Sequence, residues 1–250
     1  MSDSTKATVI GAAPEGASDP ASAALAVREM FTSIAPRYDL LNHLLSFNVD
    51  RLWWRKTARS FASILKRQDA RALDLCCGTG DMTFALFREA GESATILGVD
   101  FSHAMLRRAN EKSAEKSLRW VEADALHLPF PDQQFDLITA AFGFRNLADY
   151  DAGLREMVRM LRPGGECGIL DFGEPRGLIG KLYRVYFKRI LPAVGTVVSG
   201  VKGPYVYLPA SVERFPSPEE MLRRMRRAGF REASWAPYTF GIAGLYRGKK

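Results

Sequence analysis

Three acids and a glycine turn carry the strongest chemical signal in this sequence. Leu73-Asp74-Leu75-Cys76-Cys77-Gly78-Thr79-Gly80-Asp81 places a G-x-G turn between a β-type run and a helical one. Glycines at such a turn let the backbone bend sharply and approach a ligand without Cβ interference. The third glycine of a dinucleotide fingerprint is missing, since Asp81, Met82 and Thr83 follow Gly80. An aspartate at a helix start repels a phosphate that the helix N-terminus would otherwise attract. It suits a ligand bearing an amino group or a sulfonium. Asp100 closes the next β-type run, 20 residues beyond Gly80, near the interval of about 20 at which a carboxylate meets ribose hydroxyls. Its two oxygens accept from both the 2′- and the 3′-OH. Asp124-Ala125 follows a third run, where a side chain reaches an adenine edge. The pattern predicts a cationic nucleoside site, with Gly78 and Gly80 in the cradle and Asp100, Asp124 and Ala125 around it.

Positioning these residues requires a regular scaffold, and the chain from residue 71 onward supplies one. RALDLCC, TILGVD, LRWVEA, FDLITAAFGF and ECGILDF read as strands. Between them GDMTFALFREAG, HAMLRRANEKS behind the N-cap Ser102, and YDAGLREMVRML read as helices, the last stopped by Pro163-Gly164-Gly165. This alternation predicts an α/β fold, Rossmann-like, with a mostly parallel twisted sheet and helices on both faces. Ligands then sit outside the carboxyl ends of the strands, where strand order reverses. Residues 1–25, small, polar and rich in Gly, Pro, Ala and Ser, read as a disordered tail, and 26–250 as a single domain. Within it, 26–67 reads as a helical cover and 174–215 as a substrate-side insertion.

Composition narrows the classes. Apolar residues make up 47 % and charged residues 25 % of 250, ordinary for a soluble globular chain. No run approaches the ~18 apolar residues of a membrane span. Cys76, Cys77 and Cys167 form neither a disulfide framework nor a zinc spacing, so no metal is expected and the cytoplasm is the expected compartment. The net charge of +7 favours anionic partners. Part of it sits in MLRRMRRAGFR, whose Met221, Leu222, Met225 and Ala228 share one helical face. That pattern reads as a solvated helix face, and no RNA-recognition or zinc-finger signature points to nucleic acid.

The stretch from Asp74 to Ala125 resembles the class I S-adenosylmethionine-dependent methyltransferases. More narrowly, residues 27–250 resemble the ubiquinone/menaquinone biosynthesis C-methyltransferase family. The resemblance rests on Tyr38-Asp39-Leu40-Leu41-Asn42 with Ser46 and Trp53, on the Cys-Cys-Gly-Thr-Gly-Asp loop, and on Leu128-Pro129-Phe130-Pro131-Asp132. It also rests on Gly143-Phe144-Arg145-Asn146, Arg162-Pro163-Gly164-Gly165, Tyr207-Leu208-Pro209-Ala210-Ser211, Arg214-Phe215-Pro216 and Thr239-Phe240-Gly241-Ile242-Ala243. It implies S-adenosylmethionine contacts at Thr79, Asp100 and Asp124–Ala125. A further contact, usually a serine, falls on Ala141, which has no hydroxyl. Asp50 stands where a histidine is common, and Asp171 and Gly173 replace the usual Glu and Ser.

The reaction implied is methylation of a ring carbon on a prenylated quinol, demethylmenaquinol giving menaquinol. The benzoquinol precursor of ubiquinone, or another small-molecule acceptor, is the alternative. Loss of a phenolic proton makes the neighbouring carbon nucleophilic, and a cation beside that oxygen stabilises the charge. Arg145 is the candidate cation and Asn146 a hydrogen-bond donor to the same oxygen. Tyr38 and Asp39 are expected to line the site from the helical cover, with Asp39 a proton acceptor. His127 is a weaker candidate base. The amphipathic stretch 178–198, with Ile179, Leu182, Tyr186 and Ile190 opposite Lys181, Arg184 and Lys188, can touch the anionic inner face of a membrane peripherally. A homo-oligomer is compatible with all of this.

Overall fold

A computed structural model describes residues 11–12, 14, 16–39, 46, 48–113, 118–175, 177, 180, 183, 185–186 and 203–250, with Arg37 and 203–206 as backbone only. Seven strands form one sheet in the order β3-β2-β1-β4-β5-β7-β6. They are β1 (Arg71–Leu75), β2 (Thr95–Asp100), β3 (Arg119–Glu122), β4 (Phe135–Ala141), β5 (Leu161–Phe172), β6 (Arg231–Tyr238) and β7 (Ala243–Lys249). The first five pair in parallel, while β7 runs antiparallel to both β5 and β6.

Strand alternation divides the apolar side chains between two cores. Leu73, Leu75, Val99 and Ile138 enter the first; Ala72, Ile96 and Leu137 enter the second. α6 (Tyr150–Met160) and α8 (Pro218–Ala228) close the first with Leu154, Met157, Met221 and Met225. α2 (Val49–Ser60), α3 (Ala62–Leu65) and α4 (Asp81–Glu89) close the second with Trp53, Ile64, Ala85 and Leu86. α5 (His103–Lys112) follows β2, and α7 (Gly203–Arg214) precedes α8. The arginine-rich α8 is the solvated amphipathic helix its spacing predicts. Met221 and Met225 are fully buried, and Arg224 pairs with Asp151 at 2.8 Å.

Three features depart from the sequence expectation. α1 (Pro20–Ile34) starts inside the segment assigned to the tail. Asp19 accepts from the Ser22 amide and the Ser22 hydroxyl accepts from the Asp19 amide, a capping box that starts the helix there. Ala12 also donates to the Leu147 carbonyl at 2.8 Å. Second, the sheet carries an antiparallel pair, β6–β7, beyond the five strands the sequence predicts, and the Arg162–Gly165 turn lies within the bounds of β5. Ser102 does precede α5, yet its hydroxyl pairs with Thr32 Oγ1 at 3.0 Å instead of capping the helix. No helix among the described residues is long and apolar enough to cross a membrane.

Candidate active site

Strand order reverses between β1 and β4, so the carboxyl ends of these two strands flank a crevice. Both ends carry residues in the left-handed region: Cys76 at φ 54° and Phe142 at φ 59°. Neither is a glycine, and such strain is held only where surrounding packing fixes it. After β1 the chain turns through Gly78 (φ 55°) and Gly80 (φ 90°) into α4. A Cβ on Gly80 would lie 2.7 Å from the Trp120 ring, so the turn closes only with glycine there. A Cβ on Gly78 would meet nothing nearer than Tyr38 at 3.9 Å, because that glycine faces a cavity.

Two cavities open at this crevice and share Phe31, Tyr38, Cys76, Gly78, Ala141 and Phe142 as a common wall. The smaller, about 720 Å³, is lined by Asp100, Asp124, Ala125, Leu126, Met105 and Asn146 among others. Asp100 is 7 % exposed. One of its oxygens accepts from the Gly78 amide and the other from the Ser102 amide, both at 2.9 Å, so the carboxylate is locked to the glycine turn. Burial nevertheless pushes its pKa up to about 6. Asp124 accepts from the Leu126 amide at 2.9 Å and is half exposed at the rim. A carboxylate pair beside the apolar walls of Val99, Met105 and Leu126 offers acceptors for ribose hydroxyls and an adenine amino group, with an apolar surface for the base.

The larger cavity, about 1610 Å³, lies on the other side of the shared wall and touches Thr79 and Asp81. Its far end is aromatic. Phe142 and Phe172 have ring centres 4.6 Å apart, and Trp53 approaches them at 5.8 and 6.3 Å. Tyr183, Tyr186 and Tyr207 add three more rings. Arg145, from the short 3-10 turn Phe144–Asn146 after β4, lines this cavity and is 6 % exposed. Its Nη1 donates to Asp171 Oδ1 at 2.9 Å and to the Phe142 carbonyl, while its amide donates to Asp171 Oδ2 at 3.1 Å. Its guanidinium lies 5.1 Å from the Phe172 ring centre, and its buried Nε has no partner. Asn146 lines the smaller cavity, and its Oδ1 accepts from the Tyr207 hydroxyl at 3.1 Å.

The helical cover reaches the site unevenly. Tyr38 lines both cavities, at their junction. Asp39 is on neither wall; its carboxylate accepts from the Thr79 hydroxyl and pairs with Lys112 Nζ at 2.9 Å. The same Nζ reaches Asp81 Oδ1 at 2.9 Å and Thr79 Oγ1 at 3.2 Å. Lys112 was missed by sequence reasoning, as it lies at the far end of α5 and 33 residues from Thr79. Asp171 also was missed as a partner of Arg145, 26 residues away. Ala141 ends β4 on the shared wall, and Asp50 is buried on the wall of the larger cavity. His127 is 84 % exposed beside Asp124, outside both cavities. Of the stretch 178–198, only Gly180, Tyr183, Val185 and Tyr186 are described; Ile179, Leu182, Ile190, Lys181, Arg184 and Lys188 lie outside the described residues.

Residues 19–250 match the model of the ubiE/COQ5 methyltransferase family. The chain belongs to that family. It is 50 % identical over 228 residues to a demethylmenaquinone methyltransferase of Deinococcus radiodurans, covering 90 % of this chain and 92 % of that one. It is 48 % identical to one of Thermus thermophilus, across 88 % of this chain and all of the other. A ubiquinone/menaquinone biosynthesis C-methyltransferase UbiE of Geobacter sulfurreducens shares 44 %, across 90 % and 88 %. The fold also matches a SAM-dependent methyltransferase from Aquifex aeolicus with a TM-score of 0.56 and 20 % identity, over 76 % of this chain and 87 % of that one. It matches the [4+2]-cyclase SpnF with a TM-score of 0.65 and 18 % identity, over 91 % and 96 %. The second likeness shows that the fold does not by itself fix the reaction. Membership of the family makes this chain a methyltransferase whose cofactor is S-adenosylmethionine, and the cradle at Gly78 with the Asp100 carboxylate fits that cofactor.

Proposed function

We propose that this protein transfers a methyl group from S-adenosylmethionine to the unsubstituted ring carbon of demethylmenaquinol, the methyl–sulfur bond breaking as the carbon–carbon bond forms and the ring carbon's proton leaving to solvent, to give menaquinol and S-adenosylhomocysteine. The observation that carries the reading is the aromatic cavity sharing a wall with the nucleoside cavity, with a fixed guanidinium, Arg145, beside its rings. A naphthoquinol ring and an isoprenoid tail are flat and apolar, matching Trp53, Phe142 and Phe172 in shape and polarity.

Bound S-adenosylmethionine supplies an activated sulfonium methyl. The chain's own residues then have three tasks. Asp100 accepts from the ribose hydroxyls, with Asp124 and the buried Ala125 framing the base, while Gly78, Thr79 and Gly80 form the backbone cradle. Arg145 stabilises the oxygen that loses its proton, making the adjacent ring carbon nucleophilic. The hold of Asp171 and the Phe142 carbonyl on Nη1 keeps that charge in place before substrate arrives. Asn146, expected to donate to the same oxygen, lines the nucleoside cavity instead. The Tyr207 hydroxyl occupies its Oδ1 and turns its amide nitrogen to donate. Tyr38 seals the junction, and the aromatic wall keeps water from the methyl. Asp39, engaged with Thr79 and Lys112, fastens the helical cover to the cofactor turn instead of accepting the substrate proton. A substrate with a prenyl tail resides in a bilayer, so the enzyme works at a membrane surface.

The test is methyl transfer from labelled S-adenosylmethionine to detergent-dispersed demethylmenaquinol, with oxidised demethylmenaquinone in parallel. Labelled menaquinone is expected only under reducing conditions, because the quinone has no phenolic proton to lose. No product from either form, with cofactor binding shown on the same sample, would reject the assignment.

A further inference from the structure

The outer surface of α2, beside the aromatic cavity, has no part in methyl transfer. At about 100° per residue, Arg51, Leu52, Arg55, Lys56 and Arg59 share one arc of this helix, and all five are exposed. Trp53, Trp54, Thr57 and Ala58 take the opposite arc and are buried. Leu52 stands among the four cations and is 61 % exposed. Among the described residues, only Arg59 of these cations has an acidic partner, Glu89 at 3.3 Å.

The segment after β6 lies against the same helix. Lys56 Nζ stands 4.1 Å from the centre of the Tyr238 ring, and the Trp53 indole N–H donates to Thr239 Oγ1 at 2.8 Å. Thr239, Phe240 and Gly241 then adopt φ values of 45°, 58° and 90° in succession. A left-handed conformation is uncommon for a bulky residue such as Phe. Here it presents Phe240 to solvent at 77 % exposure. Thr239 and Trp53 themselves line the aromatic cavity, so Leu52 and Phe240 flank it from outside. A third exposed apolar residue, Val185, neighbours the cavity-lining Tyr186.

We propose that this surface docks the protein on an anionic lipid bilayer. Phe240 and Leu52 enter the interface while Arg51, Arg55 and Lys56 meet the headgroups. Exposed cations attract anionic headgroups within a Debye length, and projecting aromatic and aliphatic side chains reach the acyl boundary. The net charge of +7 acts in the same direction. The left-handed turn holds an apolar side chain out in water, a placement that a bilayer explains. The inference rests on the substrate reading above only in taking the tail to enter from the lipid side; the docking itself needs no substrate.

The test is sedimentation of the full chain with vesicles of equal phosphatidylglycerol and phosphatidylcholine, and with phosphatidylcholine alone, at low salt. Binding is expected to the mixed vesicles only, and to fall at least about tenfold in the double variant Arg51→Glu, Arg55→Glu. Phe240→Asn should weaken it as well without lowering Tm, because Asn tolerates the left-handed turn better than Phe. Both variants should still methylate detergent-dispersed quinol, so a failure of docking and a failure of the proposed reaction are read separately. Wild-type protein that stays in the supernatant, or vesicle binding that both variants leave unchanged, overturns the proposal; an acidic protein would then be the occupant to seek.

Discussion

At the scale of single residues, the site combines groups whose charge must stay put. Arg145 is held on one edge by Asp171 and the Phe142 carbonyl, leaving Nε buried and unpartnered. Lysine would retain the charge, but its ammonium sits on a different stem and would not place a donor where Nη1 now meets both partners. Arg145→Lys should therefore lower kcat by about 100-fold, in the range of a lost transition-state donor. The Kd for S-adenosylmethionine should stay within about twofold, since the arginine lines the aromatic cavity and not the nucleoside cavity. Isothermal titration and single-turnover rates on one preparation check both parts; equal losses in each would make Arg145 a structural tie. The acids at strand ends were legible because the parallel topology fixes where they must lie. Asp171 as the arginine's partner was not, since its contact depends on the neighbouring strands' register.

At the scale of elements, the cofactor turn is fastened to the helical cover from outside. Lys112, the last residue of α5, joins Asp39 of the cover to Asp81 at the start of α4. Each partner is about one-third exposed or less, so the Lys112–Asp39 coupling should be modest, about 1 kcal/mol. In a cycle of Lys112→Met, Asp39→Asn and the double variant, each single change should speed dissociation of S-adenosylmethionine several-fold. The double variant should then be little worse than either. Strict additivity would show that the lysine acts on the turn through Asp81 alone. Strands β1 to β5 were readable as apolar runs separated by helical periods. The pair β6–β7 was not: REASWAPY alternates poorly, has Pro237 near its end, and its pairing with β7 is interrupted between Arg231 and Ser234. The beginning of α1 was hidden for a different reason, as its capping box sits in a segment whose composition reads as tail.

At the scale of the whole molecule, the fold follows from the strand–helix rhythm, while the two adjoining cavities depend on side chains from both ends of the chain. Asp74 shows how that closure shapes stability. It is fully buried beneath the site, where Thr83 of α4 and Thr139 of β4 donate to it at 2.7 and 2.9 Å. Burial pushes its pKa up to about 7 despite those hydrogen bonds, and Asp100 moves the same way, to about 6. A carboxyl whose pKa is higher folded than unfolded binds more protons in the folded state between the two values. Its contribution therefore favours folding as pH falls from about 8 towards 5, opposite to the usual salt-bridged carboxylate. A shift from 3.8 to about 7 corresponds to a penalty on the order of 4 kcal/mol above that range. Asp74→Asn removes the ionisation while leaving both threonine hydroxyls a partner, since a hydroxyl can accept as well as donate. The difference in Tm between variant and wild type should thus be most favourable to the variant at pH 8 and shrink steadily towards pH 5. A difference independent of pH would mean that Asp74 stays in one protonation state throughout, and that the threonines, not the proton, set the stability of the joint between β1, β4 and α4.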